Sequence, residues 1–461
     1  MAGFIFSVSS KEGIEGVKRC ISNGYYAARV PKDLENLKAK QIAASVFTDY
    51  LSMKEGDNVY FLSNRKLYGV GKLINIGQDC KYKNYIDANE LTTKDILIEG
   101  DGILIDEDPC ARWICFFVPE NKFFGQGVDM DDVLRYKPAS FRMLRAFQDR
   151  SFIKIDDEEN RALKEFIYLN NKSISKQMEF KGDKYKELNE YNLEQYRLLS
   201  KEALATNYNN ETGQASLEML VEAAVVEKLI NGKDEKWDYV THQVIASPFK
   251  PLAYIDKMDV FAYKFLNEYP QEEKPIEKYL IIELKKGKAN KESVLQLMRY
   301  VDWVCNEYAS GDYSLIEARV IAADYVKNIG KEKTKSAIRT YISSTHPITT
   351  DIWDDLRLIK YSISDSGEIK FDNYSDFNAE DLIIEKLDMI GLEHKKGSIT
   401  IDRKKCNSKF RIQNKKVAFY TTSPTDSEKI TLTSNGWTLY ELDKIIDSDC
   451  IDSIIKEIVQ I

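Results

Sequence analysis

The sequence has few of the side chains that most often bind transition metals or act as nucleophiles. Only three histidines occur in 461 residues: His242, His346 and His394. The seven cysteines are scattered and form no CxxC pair, so no zinc site is expected and reduced thiols are the simplest interpretation. Hydrolytic chemistry in this chain is therefore expected to depend on carboxylates and lysine.

Long apolar runs are also absent, because no stretch has the length needed to cross a membrane. The start, MAGFIFSVSSKEG, has neither a basic region nor a long apolar core, so we expect no signal peptide and a cytoplasmic location. The net charge of −8 gives no overall attraction for nucleic acid. Nucleic-acid binding would therefore need a local basic surface.

Length and patterning predict an α/β protein with several domains. A chain of 461 residues is too long for one core, which predicts two to four domains. Changes in composition and hydrophobic period place these domains at 1–165, 213–368 and 375–461. A polar segment at 166–212, with helix-forming composition from Lys184 onward, is expected to connect the first two.

The N-terminal segment is rich in predicted strands. The run GDNVYFLSNRKLYGVGKLINIG alternates apolar and polar residues around a turn at Ser63-Asn64, which predicts a β-hairpin. Gly69 and Gly71 indicate a bulge or a close backbone approach in its second strand. This hairpin resembles the PUA-like group of small β-barrels, which includes EVE, YTH and ASCH domains.

The PUA-like resemblance implies a nucleic-acid reader that holds an extruded or modified base among aromatic side chains. Trp113 and the loop with Phe123 and Phe124 are the stronger candidates for such a pocket. A place in the core is the alternative, and it is favoured for Phe61 and Phe116. The available aromatic residues are Tyr60, Phe61, Tyr68, Trp113, Phe116, Phe117, Phe123 and Phe124.

The central segment alternates predicted helices and strands. SLEMLVEAAVVEKLI has the period of an amphipathic helix and places Glu218 and Glu222 on one face. Strands are predicted at WDYVTHQVIASPF, at AYIDKMDVFAYKF and at the apolar run KYLIIELKK. A helix at ESVLQLMRYVDWVCNEYA, a strand at IEARVIAADYV and a helix at KTKSAIRTYI follow. The first six predicted elements of this segment are therefore a helix, three strands, a helix and a strand.

Polar side chains stand at defined positions in this order. Asp259 lies inside an apolar strand and is preferred to the nearby Asp256, and Glu283 and Lys285 are one residue apart at the end of the next strand. The order and these residues resemble the PD-(D/E)XK nuclease superfamily, with its restriction-endonuclease-like core and its D and E-x-K motif. The helix sequence QLMRYVDWV is similar to that of the mismatch-endonuclease branch and of nucleases of anti-phage systems.

This resemblance implies a magnesium-dependent deoxyribonuclease, with Mn²⁺ able to replace Mg²⁺. Mg²⁺ prefers carboxylates and waters, and it polarises the phosphoryl group during phosphodiester hydrolysis. Asp259 and Glu283, on adjacent strands, can converge on one ion, and the Leu284 carbonyl is a third candidate ligand. The resemblance also implies an acid from the first helix, either Glu218 or Glu222.

Further side chains around this site have expected roles. Lys285 lies on the same side of its strand as Glu283 and can stabilise the attacking hydroxide or the charge that develops on the phosphoryl group. Gln296 and Tyr300 match the Q-x-x-x-Y motif of the superfamily, and they can order the site or contact the substrate backbone. A basic cluster is expected either to contact phosphates or to form a solvated turn. It comprises Lys286, Lys288 and Lys291.

The C-terminal segment combines short predicted strands and helices with a basic run. No E-x-K triad occurs at the position that a nuclease site would need. We expect a small α/β module that contacts DNA or mediates dimerisation. The run comprises Arg403, Lys404, Lys405, Lys409, Arg411, Lys415 and Lys416.

Three functions are consistent with these patterns. The preferred one is a metal-dependent DNA endonuclease of restriction or anti-phage defence, acting as a homodimer, whose N-terminal segment recognises a DNA feature such as a modified base. The second is a nuclease of mismatch or other DNA repair. The third is a non-catalytic nucleic-acid-binding protein with a vestigial site. The presence of Asp259, Glu283 and Lys285 argues against the third.

Overall fold

A computed structural model shows a mixed α/β protein with several sheets. Within the described residues, the chain forms two compact units, Met1–Tyr374 and Ser375–Ile461. The structure describes residues 2–31, 36–88, 103–120, 123–146, 151–172, 178–182, 188, 192–209, 211–232, 235–246, 256–267, 274–375, 379–421, 423–445 and 448–460.

A mixed eight-stranded sheet forms the N-terminal part of the first unit. Its strands are β1 (Gly3–Ser7), β2 (Tyr25–Arg29), β3 (Asn58–Ser63), β4 (Lys66–Leu73), β5 (Lys81–Lys83), β6 (Ala111–Pro119), β7 (Val128–Asp129) and β8 (Phe152–Ile155). The order is β2-β6-β4-β3-β1-β8, with β5 beside β6 and β7 beside β4. The accompanying helices are α1 (Gly13–Asn23), α2 (Leu37–Leu51), α3 (Met130–Tyr136), α4 (Met143–Ala146) and α5 (Asp157–Asn171).

β3 and β4 form the hairpin that the alternating pattern predicts. Asn64 and Arg65 connect the strands with φ of 50° and 59°, which suits a two-residue hairpin loop. At Gly69, the pairing shifts beside Tyr60, and a Cβ would lie 2.6 Å from the Tyr60 ring. The close approach and the bulge that were expected in this strand are both present.

Aromatic side chains of this sheet pack against one another. Trp113 is fully buried, with its ring centroid 5.4 Å from Phe47 and 6.2 Å from Tyr50. The Phe123 ring lies 5.9 Å from Phe61. The structure thus places the aromatic candidates for a base pocket in the core, and their role in binding a base stays a prediction. The buried candidates are Tyr60, Phe61, Tyr68, Trp113, Phe116, Phe117, Phe123 and Phe124.

Short elements follow in the segment predicted as a connector, 166–212, and just after it. They are a 3-10 turn at Leu193–Tyr196, α6 (Ser200–Thr206), β9 (Tyr208–Asn209) and β10 (Gln214–Ala215). The helix predicted from Lys184 falls partly outside the described residues, which exclude 183–187 and 189–191.

A six-stranded sheet forms the second part of the first unit, in the order β11-β12-β13-β14-β17-β18. Its strands are β11 (Tyr239–Ile245), β12 (Lys257–Phe265), β13 (Ile276–Ala289), β14 (Ile316–Tyr325), β17 (Leu356–Ile363) and β18 (Ile369–Asn373). The helices are α7 (Glu218–Asn231), α8 (Lys291–Glu307) and α9 (Ile329–Ser336), and a 3-10 turn spans Tyr313–Leu315. β15 (Arg339–Thr345) and β16 (Ile348–Trp353) form a separate hairpin.

The leading elements α7, β11, β12, β13, α8 and β14 follow one another in the order predicted from the sequence. The helix predicted at 333–342 is wrong in its second half, because α9 ends at Ser336 and β15 begins at Arg339. Thr340, Tyr341 and Ile342 are β-branched or aromatic residues, which favour a strand. Residues 247–249 and 253–255, predicted as parts of two strands, lie outside the described residues.

Lys154 connects the two large sheets. It lies on β8, and its buried Nζ donates to the carbonyls of Ser52 and Val240, both at 2.8 Å. Burial lowers the pKa of Lys154 to about 7. Because Val240 lies on β11, these bonds hold the edge of the second sheet against the first.

The second unit has a four-stranded sheet in the order β19-β22-β23-β24 and a two-stranded sheet of β20 and β21. The strands are β19 (Lys395–Lys396), β20 (Ile399–Ile401), β21 (Lys404–Cys406), β22 (Phe410–Ile412), β23 (Val417–Tyr420) and β24 (Thr438–Glu441). The helices are α10 (Ala379–Met389), α11 (Asp426–Ser434) and α12 (Ser448–Gln460), with a 3-10 turn at Leu442–Lys444.

Two general features agree with the composition. All seven cysteines are free thiols. Among the helices that the structure describes, none combines the length and apolar character of a membrane span.

Candidate active site

Asp259 and Glu283 occupy matching positions on two neighbouring strands. The antiparallel pairing of β12 with β13 ends on this side with Val260 opposite Ile282. Asp259 and Glu283 are the next residues beyond that pair, and the Leu284 N–H donates to Asp259 Oδ2 at 2.7 Å. The fold therefore brings together the two acids that were predicted on separate strands.

Glu283 is fully buried and binds the lysine two residues later. Lys285 Nζ donates to Glu283 Oε1 at 2.5 Å, as expected for residues on one side of a strand. Glu283 Oε2 is buried without a hydrogen-bond partner. Burial raises the pKa of Glu283 to about 7, although the Lys285 charge opposes the rise. A cation beside Oε2 would stabilise the ionised carboxylate.

The surroundings of Asp259 disfavour its ionised form. Burial, together with the carboxylates of Glu283 and Glu222, raises the pKa of Asp259 well above its ordinary value. The bond from the Leu284 N–H opposes this rise. The charge of Lys285 also favours the ionised form of Asp259, although the ion pair that Lys285 forms is with Glu283. Ionisation of both strand acids together is thus disfavoured in the cation-free protein.

Glu218, one of the two candidate acids of α7, lies at the end of β13. Its Oε2 accepts a hydrogen bond from the Lys286 N–H at 2.8 Å. Lys286 Nζ donates to the Ser216 carbonyl at 3.0 Å, and the Tyr361 hydroxyl donates to the Lys286 carbonyl at 2.6 Å. These bonds hold the start of α7 beside the strand that carries Glu283, and the charge of Glu218 contributes to the raised pKa of Glu283.

Glu222, the other candidate, is held by two polar side chains. Its Oε1 contacts His242 Nδ1, and its Oε2 accepts from Gln243 Nε2 at 3.1 Å. His242 Nε2 in turn lies 3.0 Å from Asp49 Oδ1 on α2. Burial alone lowers the pKa of His242, but the carboxylates of Asp49 and Glu222 raise it to about 9. His242 is therefore a buried cation at neutral pH, and it fixes Glu222 beside Asp259.

Three of these residues were not identified from the sequence: Asp49, His242 and Gln243. A histidine followed by a glutamine inside the apolar strand β11 was a usable signal, because buried polar groups need partners. Gln243 also has a φ of 54°, and its Nε2 lies 3.5 Å from Asp259 Oδ1. Asp49 has no comparable local signal, since it precedes His242 by 193 residues.

Gln296 and Tyr300 lie one turn apart on α8 and bind each other. Gln296 Nε2 donates to the Tyr300 hydroxyl at 2.9 Å. Burial, with contributions from Glu283 and Asp259, raises the pKa of Tyr300, and the bond from Gln296 opposes the rise. The Tyr300 hydroxyl is therefore close enough to sense both acids, and it stays protonated with a hydrogen to donate.

The lysines of the predicted basic cluster already have partners. Lys288 Nζ lies 3.0 Å from Asp324 Oδ2, and Lys291 Nζ lies 3.1 Å from Glu332 Oε2. Their side chains are 63% and 56% exposed, so solvent screens both pairs. A phosphate would have to compete with these acids for the two lysines.

The site fits a hard divalent cation held by few protein ligands. Its free donor atoms are carboxylate oxygens, and the unpartnered Glu283 Oε2 is one of them. In the described ranges, no three His, Cys, Asp or Glu side chains stand close enough together to hold a metal ion. Asp259 and Glu283 would therefore share the cation with water and backbone oxygens, which suits Mg²⁺. The Leu284 carbonyl stays a predicted ligand.

Comparison with known proteins gives little further information. No protein-family model matches the chain, and no curated protein matches it. Among solved structures, the chain is similar to the crystal structure of a repair endonuclease from Pyrococcus abyssi, with 21% sequence identity. That match covers 25% of this chain and 42% of the other, with a TM-score of 0.18. The chain thus spans less than half of that structure, and a likeness this low does not define a shared fold.

Proposed function

We propose that this protein is a divalent-cation-dependent nuclease that hydrolyses phosphodiester bonds in DNA, with its site at Asp259, Glu283 and Lys285. The observation that carries this proposal is the buried Glu283 carboxylate. One of its oxygens accepts a hydrogen bond from Lys285, and the other has no hydrogen-bond partner. Asp259 lies beside it on the neighbouring strand. Burying two acids together is costly unless a cation joins them. We also propose that the second sheet belongs to the PD-(D/E)XK superfamily.

Asp259 and Glu283 would hold the cation, Mg²⁺ or Mn²⁺, together with water, and Glu218 or Glu222, predicted as a further acid, would have to move closer to join them. When bound, the cation polarises the phosphoryl group and activates water. Lys285 supplies a cationic donor whose side chain is 30% exposed, so it can reach the substrate. Once Glu283 is neutralised by the cation, Lys285 can donate to the charge that develops on the phosphoryl oxygens. Tyr300, oriented by Gln296, can donate to a neighbouring phosphate.

The test is cleavage of supercoiled and linear DNA with Mg²⁺, with Mn²⁺ and with EDTA. Asp259→Asn, Glu283→Gln and Lys285→Met should each lower the rate by about 10²-fold or more, because each removes charge from the site. Glu277→Gln is a matched control, since Glu277 lies at the other end of β13 in an exposed pair with Lys264. A wild type that cuts nothing, or variants that cut at the wild-type rate, would overturn the proposal in favour of a non-catalytic DNA-binding role.

The same assay separates the biological roles. We propose a restriction or anti-phage role in which the N-terminal sheet selects the DNA, because Lys154 builds that sheet into the unit that carries the site. Preferential cutting of base-modified or unmodified duplexes would support this role. Preferential cutting of mismatched duplexes would instead support repair. Molar mass by light scattering, with and without DNA, tests the proposed homodimer.

A further inference from the structure

Charge is divided unequally within the second unit. Residues 395–416 hold nine lysines and arginines and one acid, Asp402. The rest of 375–461 holds four basic and fourteen acidic residues. Such a separation is typical of an interaction surface and not of an evenly solvated module.

The β20–β21 hairpin presents part of this charge to solvent. Ile401 pairs with Lys404, so Asp402 and Arg403 form a two-residue turn with φ of 48° and 67°. At the other end of the hairpin, Ile399 pairs with Cys406, and both are buried in the unit's core. The anchored base lets the turn project with its cations exposed. The exposed cations are Arg403, Lys404 and Lys405.

Other basic residues of this segment have structural partners. Lys396 and Lys409 both approach Glu380, at 3.7 Å and 3.5 Å. Arg411 Nη1 donates to the carbonyls of Gly397 and Ser398, at 2.8 Å and 2.9 Å. These bonds hold β19 against β22 and against α10, so these three side chains serve the fold of the unit.

The remaining cations are available to a ligand. Within the described residues of 395–416, the exposed side chains of Lys395, Arg403, Lys404 and Lys405 have no acidic group within 4.0 Å, and the exposed Lys416 donates to the Asn435 carbonyl at 3.1 Å. The hairpin has no exposed large apolar side chain with which to enter a lipid bilayer. Cations without apolar neighbours suit the phosphate groups of a nucleic acid.

We infer that the surface made of Arg403, Lys404 and Lys405 at the turn of the β20–β21 hairpin binds the phosphate backbone of duplex DNA without regard to sequence. The choice of DNA rests on the proposed function, while the binding itself needs no catalysis. The surface would raise the time that the chain spends on DNA by adding phosphate contacts outside the catalytic unit.

The test is fluorescence anisotropy with the full-length chain, a labelled 30-base-pair duplex and EDTA, which prevents cleavage. The variant Arg403→Asn/Lys404→Gln/Lys405→Gln removes three charges, and asparagine tolerates the positive φ of residue 403. The control Lys429→Gln/Lys444→Gln/Lys456→Gln removes three charges from the same unit outside 395–416. Circular dichroism verifies that both variants fold.

The expected result is a loss of affinity of up to about tenfold per lost contact at 0.1 M salt, in the hairpin variant alone. For the hairpin variant, the slope of log affinity against log salt concentration should be smaller in magnitude by about 2 to 3. This change should be the same for DNA duplexes of unrelated sequence. Wild-type affinity in the hairpin variant, an equal loss in the control, or an effect confined to RNA or to anionic vesicles would overturn the inference. A wild type that binds in this way but cuts no DNA would overturn the proposed nuclease and leave this surface standing.

Discussion

The Asp49 carboxylate lies 3.0 Å from His242 Nε2, across 193 residues of sequence. His242 contacts Glu222, Glu222 accepts from Gln243, and Gln243 reaches Asp259. A helix of the N-terminal part therefore helps to position an acid of the candidate site. This contact, with Lys154, explains why the two large sheets form one unit instead of separate modules.

His242 should stabilise the first unit in a pH-dependent way. Its pKa is raised from 6.5 to about 9, so its contribution is complete below pH 6.5 and is lost as pH rises through 9. That shift corresponds to about 3 kcal/mol. His242→Gln should therefore lower the unfolding free energy of the unit by about 3 kcal/mol at pH 6 and by much less at pH 9.5. Hydrogen exchange of the strand amides in the first unit measures this change. The control His346→Gln, on an exposed loop, should change little at either pH.

Glu283 should reduce the stability of the cation-free protein. Its pKa is raised from 4.5 to about 7, so the ionised form that dominates above pH 7 is disfavoured in the folded state. Stability from this group is complete below pH 4.5 and is lost as pH rises through 7. In EDTA, Glu283→Gln should raise the unfolding free energy at pH 8 by on the order of 3 kcal/mol, and by little at pH 5. A variant less stable than the wild type at pH 8 would contradict this.

Divalent cations should stabilise the wild type by binding only the folded site. At a concentration one hundred times the dissociation constant, Mg²⁺ should add about 2.7 kcal/mol to the unfolding free energy. Because cation and protons compete for Glu283, the stabilisation should grow as pH rises from 6 to 8. Thermal denaturation with a Mg²⁺ titration measures it. Glu283→Gln should lose most of the response and Glu277→Gln should keep it.

Trp113 should contribute to stability, since its ring is enclosed by Phe47 and Tyr50. Trp113→Ala should cost about 3 to 5 kcal/mol by leaving a cavity, and Trp113→Phe clearly less. Urea unfolding of the first unit measures both. If Trp113→Ala kept wild-type stability and lost DNA selectivity, the result would support the base-pocket role predicted from the sequence.

Tyr300 should affect cleavage more than folding. Removing its hydroxyl in Tyr300→Phe takes away one hydrogen-bond donor beside the acids, worth about 1 kcal/mol, and should slow cleavage by about five- to tenfold. Tyr313→Phe, which loses a hydroxyl bond to Asp302 away from the site, should cut at the wild-type rate. Single-turnover rates, with unfolding curves for both variants, separate the two effects.

The central elements could be predicted because their signals are local. The apolar runs of β12 and β13 and the helix predicted at α8 placed Asp259, Glu283 and Gln296 on the correct elements. The bond between Lys285 and Glu283 follows directly from the two-residue period of a strand. The helix predicted at 333–342 is wrong in its second half because the sequence has no clear hydrophobic period there. A short polar helix ends at Ser336, and a strand begins at Arg339.

The sequence by itself determined which side chains could perform the chemistry. Few histidines and unpaired cysteines leave Asp259, Glu283 and Lys285 as its one recognisable set. Only the tertiary structure decided that Trp113 is enclosed on all sides and that Asp49 reaches His242. The physical reason is that burial and electrostatic coupling depend on which elements pack together. Residues far apart in sequence carry no local pattern that reveals such packing.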